Sequence, residues 1–97
     1  PLSLLVFDLD HFKKINDTYS HQGGDYVLKE VAHVIQSKLI RGDDYFARFG
    51  GEEFVIVLMS TNIKIGEEIG ERIRATIEKH DFTFDNKKIP VTISIGI

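Results

Sequence analysis

The chain has 97 residues, 42% of them hydrophobic and 28% charged, with a formal net charge of −3, which suits one soluble domain with one core and leaves no room for a second. It has no cysteine, so disulfides, thiolate metal sites and cysteine nucleophiles are excluded, and any metal must be held by oxygen or histidine. The acidic balance argues against a nucleic acid polymer as partner, since such binding rests on a basic face. No apolar run approaches the roughly 20 residues of a membrane span, and no basic-then-apolar leader is recognised, so the expected compartment is the cytoplasm. Pro1 runs within three residues into Leu4, and the chain ends at Ile97 still reading as strand. It is therefore expected to be an incomplete piece of a longer protein, truncated at both ends.

In chain order, residues 4–7 form a continuous apolar run closed by Asp8 and Asp10, as expected of a central strand buried on both faces. Phe12, Ile15 and Tyr19 then recur at helical spacing. Over residues 26–40, Val27, Leu28, Val31, Val34, Ile35 and Leu39 make one apolar stripe of a helix. Residues 45–49 and 54–59 read as two strands, and Gly50-Gly51 supplies the hairpin turn between them. A second amphipathic helix carries Ile65, Ile69, Ile73 and Ile77 at every fourth position. Residues 82–84 and 89–97 are expected to flank a polar turn at 85–88. This order of strand, helices, hairpin, helix, hairpin predicts an α+β fold of the ferredoxin-like kind, a mostly antiparallel sheet with helices on one face. The end of the first strand and the tip of the following hairpin then lie on neighbouring central strands, so Asp8 and Glu52 are expected to meet.

The stretch Arg48–Phe54, RFGGEEF, sets two glycines beside two acids. The glycines allow positive φ at a turn. The acids need a further account: two carboxylates about 4 Å apart repel by roughly 4 kcal/mol at an effective dielectric of 20, about three pKa units. Protonation, a nearby arginine such as Arg48, or a divalent cation held by Asp8, Glu52 and a main-chain carbonyl would each offset that. Oxygen ligands favour Mg²⁺ or Mn²⁺. Asp10-His-Phe-Lys13 opens a helix whose free N–H groups favour an anion, with Lys13 adding charge and Asp10 read as the N-cap. A cation beside such a helix start suggests a nucleoside triphosphate.

With these residues in place, FDLDHFKKINDTYSHQGGDYVL followed by RFGGEEF closely resembles the GGDEF family, the diguanylate cyclases, which condense two GTP into cyclic di-GMP and release pyrophosphate. The signature here is the GGEEF variant. The resemblance spans nearly the whole chain and implies a nucleotide-cyclase-like sheet lacking a C-terminal helix and strand. It implies that Asp8, the Leu9 carbonyl and Glu52 hold Mg²⁺, and that the backbone at His11 and Phe12, with Lys13, contacts the β and γ phosphates. Asn16, His21 and Asp25 would form the nucleotide pocket, Asn16 and Asp25 reading guanine. Gly50 and Gly51 would let the main chain approach the nucleotide. Glu52 or Glu53 would accept the proton of the attacking 3′-hydroxyl, the choice being open, and Lys13 would stabilise the transition state. Catalysis would need a homodimer, brought together in the full-length protein by an N-terminal sensor or receiver domain, with membrane anchoring open to the longer protein. The rival readings are a catalytically silent GTP or cyclic di-GMP receptor and a cyclase or polymerase-palm relative using another substrate.

Arg41-Gly-Asp-Asp44 matches the family's RxxD product-inhibition pattern, with Arg72 or Arg74 as a further contact. Arginine grips guanine O6 and N7, and aspartate accepts from its N1–H and N2–H₂ edge. The plain alternative is that Arg41 closes a helix and Gly42 is its C′ residue. For Asp25 the plain alternative is an N-cap of a helix starting at Tyr26. Ser20 departs from the family's usual glycine, and if that position needs positive φ the serine costs about 1 kcal/mol. His33 and His80 are read as ordinary helix residues.

Overall fold

The computed structural model describes the whole chain, Pro1–Ile97. In β1 (Leu2–Leu9) burial alternates strictly: Ser3, Leu5, Phe7 and Leu9 are buried, while Leu2, Leu4, Val6 and Asp8 are exposed. β1 is central, as the apolar run predicts, but it is buried on one face only, with Leu4 48% and Val6 40% exposed. The cause is that the helices supply the core on the Leu5, Phe7 and Leu9 side. β2 (Tyr45–Arg48) and β3 (Glu53–Met59) form the expected hairpin, and β6 (Ile93–Gly96) completes a sheet of order β2-β3-β1-β6 in which every pairing is antiparallel. This is the expected α+β architecture.

Helix α1 spans Phe12–Lys38 and is interrupted at Ser20, where φ is 75° and ψ 165°. The expected helix over 26–40 therefore begins earlier, just after the break, and runs through Gly23 and Gly24, both buried. These glycines serve close approach rather than a turn: a β-carbon on Gly23 would lie 2.8 Å from Tyr19 Cβ. Helix α2 (Ile63–Lys79) is capped by Asn62, whose side chain accepts from the Ile65 N–H at 3.0 Å. Its buried stripe is Gly66, Gly70, Ile73 and Ile77; Ile65, expected in the core, is 43% exposed. The missing side chains let α2 settle on β1, with Ser3 against Gly66 and Leu5 Cδ2 3.5 Å from a β-carbon on Gly70.

β4 (Thr83–Phe84) and β5 (Lys87–Lys88) form a separate two-stranded ribbon. The polar turn is thus shorter than predicted, with Asp85 and Asn86 at φ 53° and 63°, the positive pair that a type I′ hairpin demands. The predicted 89–97 strand is shortened: Lys87–Lys88, expected in the turn, pairs with β4, and of residues 89–97 only Ile93–Gly96 joins the main sheet. No helix is long and apolar enough to cross a membrane.

Candidate functional site

The register of β1 on β3 places Asp8 opposite Glu53. One step further, the Leu9 N–H donates to the Glu52 carbonyl at 3.3 Å. Leu9 and Glu52 therefore occupy a hydrogen-bonded site, which makes the adjacent Asp8–Glu53 pair a non-hydrogen-bonded one, where Cα atoms approach to about 4.5 Å. Both side chains of that pair leave the same face of the sheet, so it is Glu53, and not Glu52 as the sequence led us to expect, that faces Asp8 across the strands. The Glu52 N–H makes no return bond to the Leu9 carbonyl, although that carbonyl points toward Glu52 as the Leu9 N–H does. Behind the acids, Phe7 and Phe54, themselves register partners, stack with centroids 5.1 Å apart, and Phe46 continues the stack on Phe54 at 5.5 Å. Such pairs contribute about 0.5–1.5 kcal/mol beyond their area and make this end of the sheet rigid.

The tip of the β2–β3 hairpin closes with Glu53 N–H donating to the Gly50 carbonyl at 3.0 Å, and Gly50 and Gly51 take φ 76° and 31°. A β-carbon on either glycine would meet nothing within 4 Å, so the surface above them is open. Arg48, a candidate to neutralise the acids, is engaged elsewhere: its Nε donates to the Gly51 carbonyl at 2.8 Å. None of the ion pairs of the structure involves Asp8, Glu52 or Glu53.

Helix α1 starts directly beyond β1. Its N-cap position is held by His11 in the left-handed region, φ 56°, with no side-chain capping bond. Asp10 does not cap the helix, contrary to the sequence expectation. Its carboxylate accepts from Thr92 Oγ1 at 2.8 Å and Ser94 Oγ at 2.6 Å, and its N–H donates to the Thr92 carbonyl at 2.9 Å. Sequence reasoning missed Thr92 and Ser94; the signal was the alternation of hydroxyls with Ile93 and Ile95. Because Asp10 is tied to β6, the first amides of α1 keep no side-chain acceptor and are available to an anion. Lys13 is exposed in this first turn.

The break at Ser20 folds residues 12–19 back on residues 21–38. A β-carbon on Gly24 would collide with Asn16 Oδ1 and lie 3.3 Å from Phe12 Cζ, so Phe12 and Asn16 reach across to the segment that carries Asp25. Asp25 is exposed inside α1 and caps nothing. His21 is exposed in the first turn after the break. The largest cleft, about 730 Å³ between residues 17–22 and the β4–β5 ribbon, is lined by none of the residues expected to touch a nucleotide.

Arg41 and Asp44 lie at the other end of β3, a seven-residue strand about 20 Å long. α1 ends at Lys38 with Leu39 as C-cap, so Arg41 does not close the helix. Instead the Asp44 side chain, 1% exposed, accepts at Oδ1 from the Met59 N–H at 3.0 Å and Arg41 Nη2 at 3.1 Å, and at Oδ2 from the Arg41 N–H at 2.9 Å. Arg41 Nη2 also donates to the Met59 carbonyl and to Thr61 Oγ1. Burial pushes the Asp44 carboxyl up, but these bonds outweigh it and hold it below the usual carboxylate range. The structure thus brings Arg41 and Asp44 together as partners of each other. Arg72 is exposed on α2 and forms none of the ion pairs, whereas Arg74 is bound to Glu71 and Glu78. His80 follows α2 as its C-cap, and its Nε2 lies 2.8 Å from Glu30 Oε2, tying α2 to α1.

Among curated proteins the chain is 50% identical over 96 residues to Diguanylate cyclase A of Treponema denticola, covering 99% of this chain and 26% of that protein. Among solved structures it matches diguanylate cyclase SiaD of Pseudomonas aeruginosa, crystallised with its activator SiaC, at TM-score 0.91 and 35% identity, over 98% of this chain and 36% of that one. It also matches the GGDEF domain of DgcB from Caulobacter crescentus in complex with c-di-GMP at TM-score 0.89 and 34% identity, over 98% and 57%. The chain thus spans about a quarter of the Treponema protein's length. The family model described as "Diguanylate cyclase, GGDEF domain" matches residues 1–97, and with the paired strand ends and the uncapped helix beside them, the chain belongs to the GGDEF domain family.

Proposed function

We propose that this chain is the GTP-condensing domain of a diguanylate cyclase, with the GGEEF tip as its catalytic edge. The observation that carries this reading is the register that sets Asp8 opposite Glu53 and Leu9 against Glu52, at the head of a helix whose first amides lack a capping side chain.

The donor set fits a hard divalent cation: oxygen atoms only, acids without an ion-pair partner, and a Leu9 carbonyl that receives no bond from the Glu52 N–H. Asp8, the Leu9 carbonyl and Glu52 would hold Mg²⁺ or Mn²⁺. When bound, the cation would neutralise phosphate charge and make the attacking hydroxyl more acidic. Glu52 or Glu53 accepts that proton, Glu53 lying across from Asp8 in the register. Lys13 and the amides around His11 and Phe12 take the β and γ phosphates and stabilise charge on the departing pyrophosphate. Asn16, His21 and Asp25 line the base pocket, where the Asp25 carboxylate accepts from guanine N1–H and N2–H₂, donors that adenine lacks. Gly50 and Gly51 leave the main chain open to the nucleotide. The 3′-oxygen of one GTP forms a bond to the α-phosphorus of the other as the bond to pyrophosphate breaks. The reciprocal step closes the ring, so two protomers must face each other as a homodimer. In the full-length protein a sensor or receiver domain would pair them.

For product inhibition, Arg41 and Arg72 would offer cations to cyclic di-GMP while Asp44, with its oxygens taken, holds Arg41 in place. Titration with cyclic di-GMP before and after Arg41→Ala checks this; equal affinities would leave the pair a structural tie. The main test is incubation of the full-length protein with GTP and Mg²⁺ and identification of the product. Cyclic di-GMP that disappears in Glu52→Ala and Glu53→Ala supports the reading. Binding without turnover would mark a receptor, and a different product another cyclase.

A further inference from the structure

Ser20 sits in a backbone region, φ 75° and ψ 165°, that belongs almost to glycine alone and that other residues occupy only at a penalty. A reason for serine is visible in the same place. Its Oγ accepts from the Gly23 N–H at 3.3 Å, the third residue onward, which is the bond of an N-cap. Ser20 is thus the cap of the helix over residues 21–38, and the first amides of that helix gain an acceptor that glycine would not supply. The same break turns residues 12–19 back so that Asn16 and Phe12 press on Gly24, next to Asp25.

We infer that Ser20 is a positioning residue for nucleotide recognition: its cap fixes the angle of the break and thereby holds Asn16 against Gly24 beside Asp25. This rests on the reading of Asn16 and Asp25 as guanine contacts. Ser20 touches no substrate itself. Its influence on base choice runs through the bend.

The test compares wild type with Ser20→Ala, Ser20→Gly and Ser20→Asn. Two quantities are read in each: the NMR cross-peak between the Asn16 carboxamide and the Gly24 α-protons, and the ratio of affinities for GTP and ATP. Loss of one cap corresponds to about a fivefold change in an equilibrium. Ser20→Ala, strained and uncapped, is expected to lose the cross-peak and about fivefold of the GTP preference; Ser20→Asn, which caps as serine does at the same backbone penalty, and Ser20→Gly, uncapped but free of the strain, are expected to keep both. If Ser20→Ala does not fold, Ser20→Cys, close in size but a poor acceptor, carries the same comparison. Retention of the cross-peak in the alanine or cysteine variant overturns the inference, even with a lowered melting temperature. Asp25→Ala separates the underlying reading. Should it leave GTP preference unchanged, the guanine assignment falls, and the cross-peak alone decides whether Ser20 positions Asn16.

Discussion

Replacing Asp44 by alanine removes one carboxylate and leaves several donors behind. Its oxygens accept from the Met59 N–H, the Arg41 N–H and the Arg41 guanidinium, and the side chain is 1% exposed, so water cannot take its place without opening the loop before β2. A neutral hydrogen bond contributes about 1 kcal/mol net and one to a charged group about 1.5–3. Because the bonds are shared and the Arg41 side chain is about half exposed, we expect a loss of about 3 kcal/mol in total, a large part of the 5–15 kcal/mol typical of a domain. In urea, at a slope of roughly 1.5–2 kcal/mol/M, the midpoint falls by about 1.5–2 M. The pH dependence has a definite sign. The folded carboxyl lies below its unfolded value of about 3.9, so its stabilisation is complete above that value and is lost as pH falls through the folded pKa. The gap between wild type and Asp44→Ala therefore narrows below about pH 4. Arg41→Ala is destabilising to a smaller extent, since its guanidinium is half exposed and Asp44 keeps its backbone donors. An Asp44→Ala midpoint within about 0.3 M of wild type, or a gap constant with pH, would refute the argument.

Further outcomes follow from close approaches. Gly66→Ala sets a β-carbon 2.7 Å from Ser3 Oγ, pushing α2 off β1; a loss of about 1–3 kcal/mol should appear as a lower melting temperature, and an unchanged one would show that the helix slides freely. Gly24→Ala collides with Asn16 Oδ1, and GTP affinity should fall by about tenfold or more, measured by calorimetry. Gly50→Ala meets no neighbour, so its only structural effect is the positive φ, about 1 kcal/mol. If the nucleotide lies on this turn, GTP affinity drops by far more than stability does, and parallel small effects would place the nucleotide elsewhere.

Period and turn chemistry made much of this fold legible. The β-branched and aromatic run of β3, the 3.6 period after Tyr26 and the Gly50-Gly51 turn all lead to elements present in the structure. What escaped depends on partners distant in the chain. Asp10 reads as a helix cap locally, yet its acceptor atoms go to Thr92 and Ser94, more than 80 residues away. The role of Gly23-Gly24 shows only when Tyr19 and Asn16 are seen pressing on it, because the break at Ser20 brings together residues that a continuous helix would keep apart. Arg41 and Asp44 match a ligand pattern, and only Met59, brought up by the β2–β3 pairing, reveals their bond to each other. Of the candidate site, the convergence of Asp8 with the GGEEF tip was readable. That Glu53 rather than Glu52 faces Asp8 was not, because a one-residue change of register exchanges the faces.

The central claim is that the end of β1 and the tip of the β2–β3 hairpin together hold a divalent cation beside the start of α1. Mn²⁺ tests it directly, since its paramagnetism broadens the NMR signals of nearby nuclei. With Mn²⁺ and a non-hydrolysable GTP analogue, the signals of Asp8, Leu9, Glu52, Glu53, His11 and Phe12 should disappear, and Asp8→Asn should restore them. Broadening centred elsewhere, or unchanged by Asp8→Asn, would contradict the account.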